Sequence, residues 1–437
     1  MHRDLVKAAR GDVARRPRSR AGSRTTTMLP EKIRLLNVSI GDAPQAGQLP
    51  RTSTYEFRYL APDAEQATVA LLMPPSERLT WQDGDLFPPM GQNLPEGELF
   101  MRIRELFPKQ PMTPMHMLAL AGRNGIGRLG YSLPGQGAPP LPRTLSKAEL
   151  LGTKYTPEVF SELVAAYLST GAGIAGMQPK IMVPDRPTAP IPSLIVKAAG
   201  AAYPGLAANE YLCLTAAKRA GIDVPSFALS DDGQMLVLDR FDLVAHDDGR
   251  VERLGFEDIA ALAGLRVRDI LSDRKYHGSY QRVAELLRRF QLHSSNLHQF
   301  FEQVAFSIMV RNGDAHLKNF GWLYRSRKDV WLAPMFDVVT TSIYKYAQFP
   351  GGPELEDRTL ALKLFAGKHQ TKAYPTTEEL VDFGRRICGV ARPVDVIDRI
   401  AGAMGKTLDE AKGDARVTRA LWEQMARAWE EGRAHAR

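Results

Sequence analysis

Disulfide chemistry is the first thing this sequence leaves out. Only Cys213 and Cys388 occur in 437 residues. Each sits inside an apolar-periodic segment, the setting of a small buried hydrophobe. A reducing compartment, the cytoplasm, is the expectation. Long apolar runs are missing too: no stretch approaches the roughly 18 uninterrupted apolar residues of a membrane-spanning helix. The basic N-terminus lacks the apolar core of a secretory signal, so no membrane association is expected. His316 has no second His, Cys or carboxylate at i+4 or in a clustered ligand spacing, which argues against a His-based metal centre. No Gly-x-Ser-x-Gly elbow appears, which removes the main support for a Ser-His-Asp hydrolase.

An excess of positive charge is present but badly placed for nucleic-acid binding. The formal net charge is +8, and residues 1–27 carry eight basic and two acidic side chains, leaving +2 for the other 410 residues. The bulk of the chain is close to neutral, so a direct DNA-binding surface does not follow from charge. Residues 1–28 read as a basic, disordered tail, with Met28 as an alternative start. The remainder, in a chain 44% hydrophobic and 24% charged, has the balance and length of a soluble protein with two or three domains.

What the chain does contain is a set of weak signals in one order. Residues 32–75 hold short β-like runs, 33–38 and 55–59, followed by helical patterns through Leu99, Ile103 and Leu106 and around Met115 to Leu120. A Pro- and Gly-rich linker spans 132–145. Gly171-Ala172-Gly173-Ile174-Ala175-Gly176 then precedes Met177-Gln178-Pro179-Lys180 and a β-like run. A dinucleotide fold would need a helix after the third glycine, and Pro179 argues against one. A glycine loop between two strands, its N–H groups over phosphates, fits better, and a ligand-free hairpin is the plain alternative. Ser193 to Lys197 is an apolar strand ending in lysine, placed to meet phosphates or simply to reach solvent. Glu210, in the first turn of a helix from Ala207 to Ala220, either orients Lys197 or complements the helix dipole.

After the polar-ended strand Met235 to Asp242 the pattern turns helical, with helices expected at 256–263, 280–290 and 297–309. The last of these leads into Asn312-Gly313-Asp314-Ala315-His316-Leu317-Lys318-Asn319. A hairpin through 320–324 and 330–332 follows, then Phe336-Asp337, and helices at 376–388, 393–404 and 415–431. Asp-x-x-x-x-Asn with a later Asp is the spacing of phosphoryl-transfer enzymes, in which a carboxylate orients the hydroxyl and oxygen ligands hold magnesium.

The combination resembles the HipA-type serine/threonine kinases, toxins of HipA–HipB toxin–antitoxin pairs. The resemblance covers about residues 32–405 and is carried by 93–97, 118–130, 174–180, 195–197, 209–211, 240–242, 275–276, 312–320 and 332–337. It implies an α+β, two-lobed protein-kinase-like fold with a small N-terminal α+β domain and a helical C-terminal lobe. The expected divisions are 29–145 for that domain and its linker, 146–245 for the N-lobe with the glycine-rich loop, and 246–437 for the helical C-lobe with the catalytic loop. It implies ATP and Mg2+ as cofactors, Asp314 as catalytic base, and Asn319 and Asp337 as metal ligands. Ala175, Gly176, Met177, Gln178, Pro179, Lys180 and Lys197 would meet the ATP phosphates, and Asp239, Arg240 and Phe241 would form the hinge. His316, Lys318 and Phe336 would lie beside the nucleotide. The implied partners are a HipB-like helix-turn-helix antitoxin, operator DNA bound mainly through it, and a protein substrate such as an aminoacyl-tRNA synthetase. Gly173 stands where many members carry an autophosphorylated serine, a departure that removes the hydroxyl needed for that route of self-inactivation. The Gly313-Asp314-x-His316-x-x-Asn319 pattern also resembles the loop of aminoglycoside-kinase-type small-molecule phosphotransferases. The extra domain at 32–130 argues against that alternative. A non-catalytic binding protein on a kinase scaffold is the third possibility, disfavoured by the intact Lys197, Asp314, Asn319 and Asp337.

Overall fold

The computed structural model describes residues 29–60, 68–96, 100, 103–105, 112–136, 145–160, 162–163, 180–183, 191–198, 203–266, 273–290, 294–347, 352, 354–356 and 358–435. The basic tail at 1–28, the glycine loop at 171–179 with Gly173, and most of the helix expected around 99–106 lie outside these residues. Residues 33–437 form one compact unit, whose architecture follows.

Strands β1 (Leu35–Ile40), β2 (Ala43–Pro50), β3 (Tyr55–Tyr59), β4 (Thr80–Asp83) and β5 (Leu129–Ser132) make an antiparallel sheet in the order β4-β3-β2-β1-β5. β1 shows the alternation that a one-sided core demands, with Leu36, Val38 and Ile40 buried and the residues between them partly exposed. Gly41, at φ 56°, supplies the left-handed backbone the tight β1–β2 turn needs. Helix α1 (Pro114–Ala121) lies against β5.

A second antiparallel sheet, in the order β6-β7-β9-β8, is built from β6 (Lys180–Val183), β7 (Leu194–Ala198), β8 (Phe227–Leu229) and β9 (Met235–Asp239). β7 is interior and all five of its residues are buried, which is why it reads as a continuous apolar run. Helix α2 (Leu206–Arg219) packs on this sheet.

The hairpin β10 (Leu243–Ala245) and β11 (Val251–Arg253) leads to a three-stranded sheet of β12 (Gly255–Asp258), β13 (Gly321–Ser326) and β14 (Asp329–Leu332). The sequence pattern suggested one helix over 256–263. Instead Gly255 to Asp258 pair with Tyr324 to Gly321, and the helix is confined to Ile259–Leu262. Gly255 permits this pairing, since a Cβ there would lie only 2.3 Å from the Tyr324 ring. The Asp258 carboxylate accepts the Ala261 N–H at 2.7 Å, starting the short helix where the strand stops.

The helices that follow are α3 (Tyr280–Arg289), α4 (Ser294–Met309), α5 (Pro393–Ala411) and α6 (Arg419–Arg433); α4 packs against β14 and against the other three, and α5 also lies along α2. The helix expected over 376–388 is α-helical only at Thr377–Asp382 and continues as a π-turn, Phe383–Ile387. Phe300, Phe301, Val304 and Ile308 of α4 are fully buried, as their spacing predicts. α6 approaches the end of α4 so closely that a Cβ on Gly432 would lie 1.7 Å from the Met309 carbonyl oxygen. The last turn of α4, from which the Asp314 loop departs, is thereby held from below.

The first sheet's domain is locked to the β12–β13 strand pair by polar groups. Glu257 accepts hydrogen bonds from the Leu71 N–H at 2.6 Å and the Tyr324 hydroxyl at 2.9 Å. Gln92 bridges the Phe256 carbonyl (2.7 Å) and the Asp258 N–H (3.0 Å). Burial pushes the Glu257 carboxyl from 4.5 up to about 7. Because the folded value is the higher one, this group's contribution to stability is fully present below pH 4.5 and is lost as pH rises through about 7. The difference amounts to a few kcal/mol, on the order of 3. Glu257→Gln should therefore flatten the fall in melting temperature between pH 5 and pH 7. Asp258, raised by burial to about 6, adds a slope of the same sign that the substitution leaves in place. Parallel pH–melting curves for the two proteins would contradict this assignment.

Candidate active site

The end of β7 and the first turns of α2 place one lysine between two acids. Lys197 Nζ donates to the carboxylates of both Glu210 and Asp337. The side chains of Lys197 and Glu210 are 5% and 0% exposed, whereas that of Asp337 is 29% exposed. Burial alone would lower the Lys197 pKa, but the Asp337 and Glu210 carboxylates outweigh it and hold the group above its ordinary value, so it is charged. Of the two open readings of Glu210, orienting Lys197 is the one the structure supports. Asp337 adopts φ 53°, a left-handed conformation uncommon for a non-glycine residue and a mark of local constraint.

Asn319 meets this cluster from the loop after α4. Its Nδ2 donates to the Asp337 carbonyl at 3.2 Å, and its Oδ1 is buried with no hydrogen-bond partner among the described residues. An unsatisfied buried acceptor is costly, about 1–3 kcal/mol, and calls for an explanation.

Asp314 stands on the same loop with its side chain 49% exposed. Its N–H donates to Asn312 Oδ1 at 3.0 Å and its Oδ1 accepts the Tyr276 hydroxyl at 2.6 Å. The loop is tied to the segment after Asp337, since the Gly313 N–H donates to Thr341 Oγ1 at 2.7 Å. His316 packs edge-on against Tyr276, with ring centroids 5.0 Å apart. Burial drives its pKa down to about 4, so it is neutral at pH 7. Its Nδ1 accepts the Lys318 N–H at 3.3 Å and caps the short turn Leu317–Asn319. The other ring nitrogen is 3.9 Å from the Asp314 carboxylate.

Some expected site residues are engaged elsewhere. The Lys318 ammonium is held by the Glu96 carboxylate and by the Gln92 carbonyl at 3.2 Å, and Lys275 reaches the same carboxylate at 3.4 Å. Burial would raise the Glu96 pKa, but these two ammonium groups outweigh it and lower it. The Lys318 side chain therefore fastens the loop to the first domain. The Arg240 side chain is likewise engaged. Its guanidinium is fully buried against Asp242 and donates to the carbonyls of Asn124 (2.9 Å), Gly125 (2.8 Å) and Pro192 (3.1 Å). The N–H groups of Asp239 and Arg240 donate to Ser226 and Ser193 carbonyls at 2.8 and 2.9 Å, so neither is a spare hinge donor. The Asp239 carboxylate pairs with Lys147 at 3.1 Å. Phe241 does join the site region, stacked on Phe336 at 5.2 Å with 23° between ring planes. Lys180 pairs with Lys197 in the β6–β7 register, while Ala175 to Pro179 lie outside the described residues.

Sequence reasoning gave no site role to Tyr276, Glu96, Lys275 or Thr341. The stretches around Lys275-Tyr276 and Glu96 carried the family resemblance, but their contacts span 38 and 222 residues and have no local pattern.

A mostly β portion carrying Lys197, a helical portion carrying Asp314 and Asn319, and Asp337 closing on the lysine define an α+β kinase-like fold. The HipA chain of the Shewanella oneidensis MR-1 HipA, HipB and operator DNA complex shares that fold, with a TM-score of 0.64 over 92% of this chain and 96% of that one at 18% identity. The HipA-like C-terminal domain family matches residues 172–412, more than half the chain, and the HipA N-terminal domain family matches 36–132. The chain belongs to the HipA family. Curated relatives include "Putative kinase Y4dM" of Sinorhizobium fredii, 30% identical over 35% of this chain and 38% of that protein. A Haemophilus influenzae protein named "Putative kinase" is 27% identical over 50% of this chain and 67% of its own length. The chain thus spans well under half the length of the first of these relatives. Among the described residues no helix is long and apolar enough to cross a membrane.

Proposed function

We propose that the chain is an ATP- and Mg2+-dependent serine/threonine protein kinase of HipA type, the toxin of a toxin–antitoxin pair. The observation that carries this reading is the buried, unpartnered Asn319 Oδ1 beside Asp337, close to a lysine with a donor to spare. An amide oxygen and a carboxylate are hard ligands of the kind Mg2+ takes while keeping several waters. Asn319 and Asp337 would hold the ion, and Mg2+ when bound neutralises charge on the nucleotide phosphates.

The remaining work falls to the chain's own groups. Glu210 fixes the Lys197 ammonium at the strand end, and two of its three N–H donors are used by Glu210 and Asp337, leaving one for a phosphate oxygen. Tyr276 holds one oxygen of Asp314, which leaves the other to accept the proton of an incoming hydroxyl. Neutral His316 fixes the loop without placing a positive charge against that carboxylate. Phe241 and Phe336 offer an aromatic wall, and residues 175–180 would cover the phosphates.

The proposed acceptor is a protein such as an aminoacyl-tRNA synthetase, notably the glutamyl enzyme. A HipB-like helix-turn-helix antitoxin is the proposed partner, by likeness to the Shewanella HipA complex. Operator DNA would be met mainly through it, in keeping with the near-neutral charge beyond residue 27. The test is incubation of the purified chain with Mg-ATP and glutamyl-tRNA synthetase, followed by intact-mass measurement. One added phosphate on the synthetase is the expected result. ATP consumption with transfer only to an aminoglycoside would favour a small-molecule phosphotransferase, and no ATP binding at all would indicate a binding scaffold.

Asp337→Ala should weaken Mg-ATP binding more than Asn319→Ala, because a carboxylate is the stronger hard-oxygen ligand and Asp337 also contacts Lys197. Losses of about a hundredfold and tenfold are expected, corresponding to roughly 3 and 1.4 kcal/mol. Calorimetric titration that ranks the two the other way would remove the metal-ligand assignment.

A further inference from the structure

A second site lies next to the Asp314 loop. A cavity of about 430 Å³ has Arg311 in its wall, together with Lys345, Arg358 and Arg427, against only two carboxylates, Glu356 and Glu431. The carboxylates do not exhaust the cations. Arg358 is paired with Glu356 at 2.9 Å, but Glu431 is 3.8 Å from Arg311, beyond hydrogen-bond length. Lys345 meets Glu354 only at 3.7 Å. Arg427 donates to the Glu423 carbonyl at 3.4 Å, and among the described residues no carboxylate pairs with it.

Arg311 is the most constrained member. Its side chain is 13% exposed and lies 4.4 Å over the Tyr374 ring, and its Nε is buried with no hydrogen-bond partner among the described residues. Its backbone is left-handed, at φ 59°. A buried, unanswered guanidinium N–H on a strained backbone is a costly arrangement. The residue is also joined to the neighbouring site. The Arg311 carbonyl accepts the Thr341 N–H at 3.1 Å and hydroxyl at 3.2 Å, and that hydroxyl accepts the Gly313 N–H at 2.7 Å.

We infer that this cavity is a binding site for a phosphate monoester dianion borne on a polypeptide side chain, phosphoserine or phosphothreonine. The lining carries two more cations than carboxylates, which matches the charge of −1.5 to −2 on such a group at neutral pH better than that of a single carboxylate. Its three oxygens suit the forked donors of several arginines at once. The inference is independent of ATP chemistry, and no assigned role uses these residues.

The test is calorimetric titration of the full chain, without nucleotide, with three probes: an Ala-phosphoserine-Ala peptide, its unphosphorylated form, and inorganic phosphate. Wild type is compared with an Arg358→Ala/Arg427→Ala double variant, both positions being solvent-exposed. The phosphopeptide should bind wild type, the unphosphorylated peptide should not, and the double variant should lose at least about tenfold in affinity at an unchanged melting temperature. Inorganic phosphate should bind more weakly than the phosphopeptide, and equal affinity would overturn the polypeptide part of the inference. No phosphopeptide binding, or binding untouched by the double substitution, would overturn the site. Because no turnover is measured, failure of the kinase proposal would leave this result unaffected.

Discussion

Asp314→Asn should abolish phosphoryl transfer, lowering turnover by a factor on the order of 10² to 10⁴, with little change in melting temperature. The substitution is nearly isosteric. The Asp314 side chain is half-exposed, so no buried charge is stranded by the change. The backbone bond from its N–H to Asn312 is kept, and the Tyr276 hydroxyl still finds an oxygen. What disappears is the second carboxylate oxygen as a proton acceptor. Nucleotide affinity should stay within about twofold, because Lys197, Asn319 and Asp337 are untouched. Equal single-turnover rates for mutant and wild type, at matched thermal stability, would remove Asp314 from the chemistry. A mutant that instead lost nucleotide binding would show that the residue acts on the phosphates.

The parts of this site differ in how plainly the sequence shows them. Asp314 and Asn319 share one loop, and the periodic apolar face of α4 announces where that loop begins. Lys197 is visible because β7 is an interior strand whose unbroken apolar run ends in a charge. Asp337 is visible from its place after the hairpin. The contacts that organise these residues are not visible, because they join segments far apart in the chain. Tyr276 reaches Asp314 across 38 positions, and Glu96 reaches Lys318 across 222. A lysine in a phosphate-binding motif and a lysine that ties two domains together look the same in one sequence. Only the position of Glu96 separates them for Lys318. Arg240 shows the same ambiguity: its position at a strand end reads as a hinge, whereas its guanidinium is engaged by the Asp242 carboxylate and by the carbonyls of Asn124, Gly125 and Pro192. The short strand Gly255–Asp258 is hidden by a pattern equally compatible with a helix, because its pairing partner, Tyr324 to Gly321, lies more than sixty positions away.

Lys197→Met should both eliminate nucleotide binding and unfold the protein more easily, and these two effects can be separated. Lys197 and Glu210 are almost wholly buried. A buried pair is a weak source of net stability, but removing one partner leaves the other charge uncompensated, at a cost of about 3–5 kcal/mol. For a unit of this size that corresponds to a fall in melting temperature on the order of 5 °C. Adding Glu210→Gln removes the stranded carboxylate, so the Lys197→Met/Glu210→Gln double variant should recover most of the lost stability. It should recover no Mg-ATP binding, because the ammonium facing Asp337 is still missing. Glu210→Gln alone should keep partial binding, since Asp337 still holds the Lys197 ammonium. Thermal melts of the four proteins give the coupling energy between the two residues, and calorimetry with Mg-ATP gives the functional loss. A double variant no more stable than Lys197→Met would show that the buried pair is not the source of the cost. A stable double variant that still bound Mg-ATP at wild-type affinity would show that Lys197 serves the fold alone.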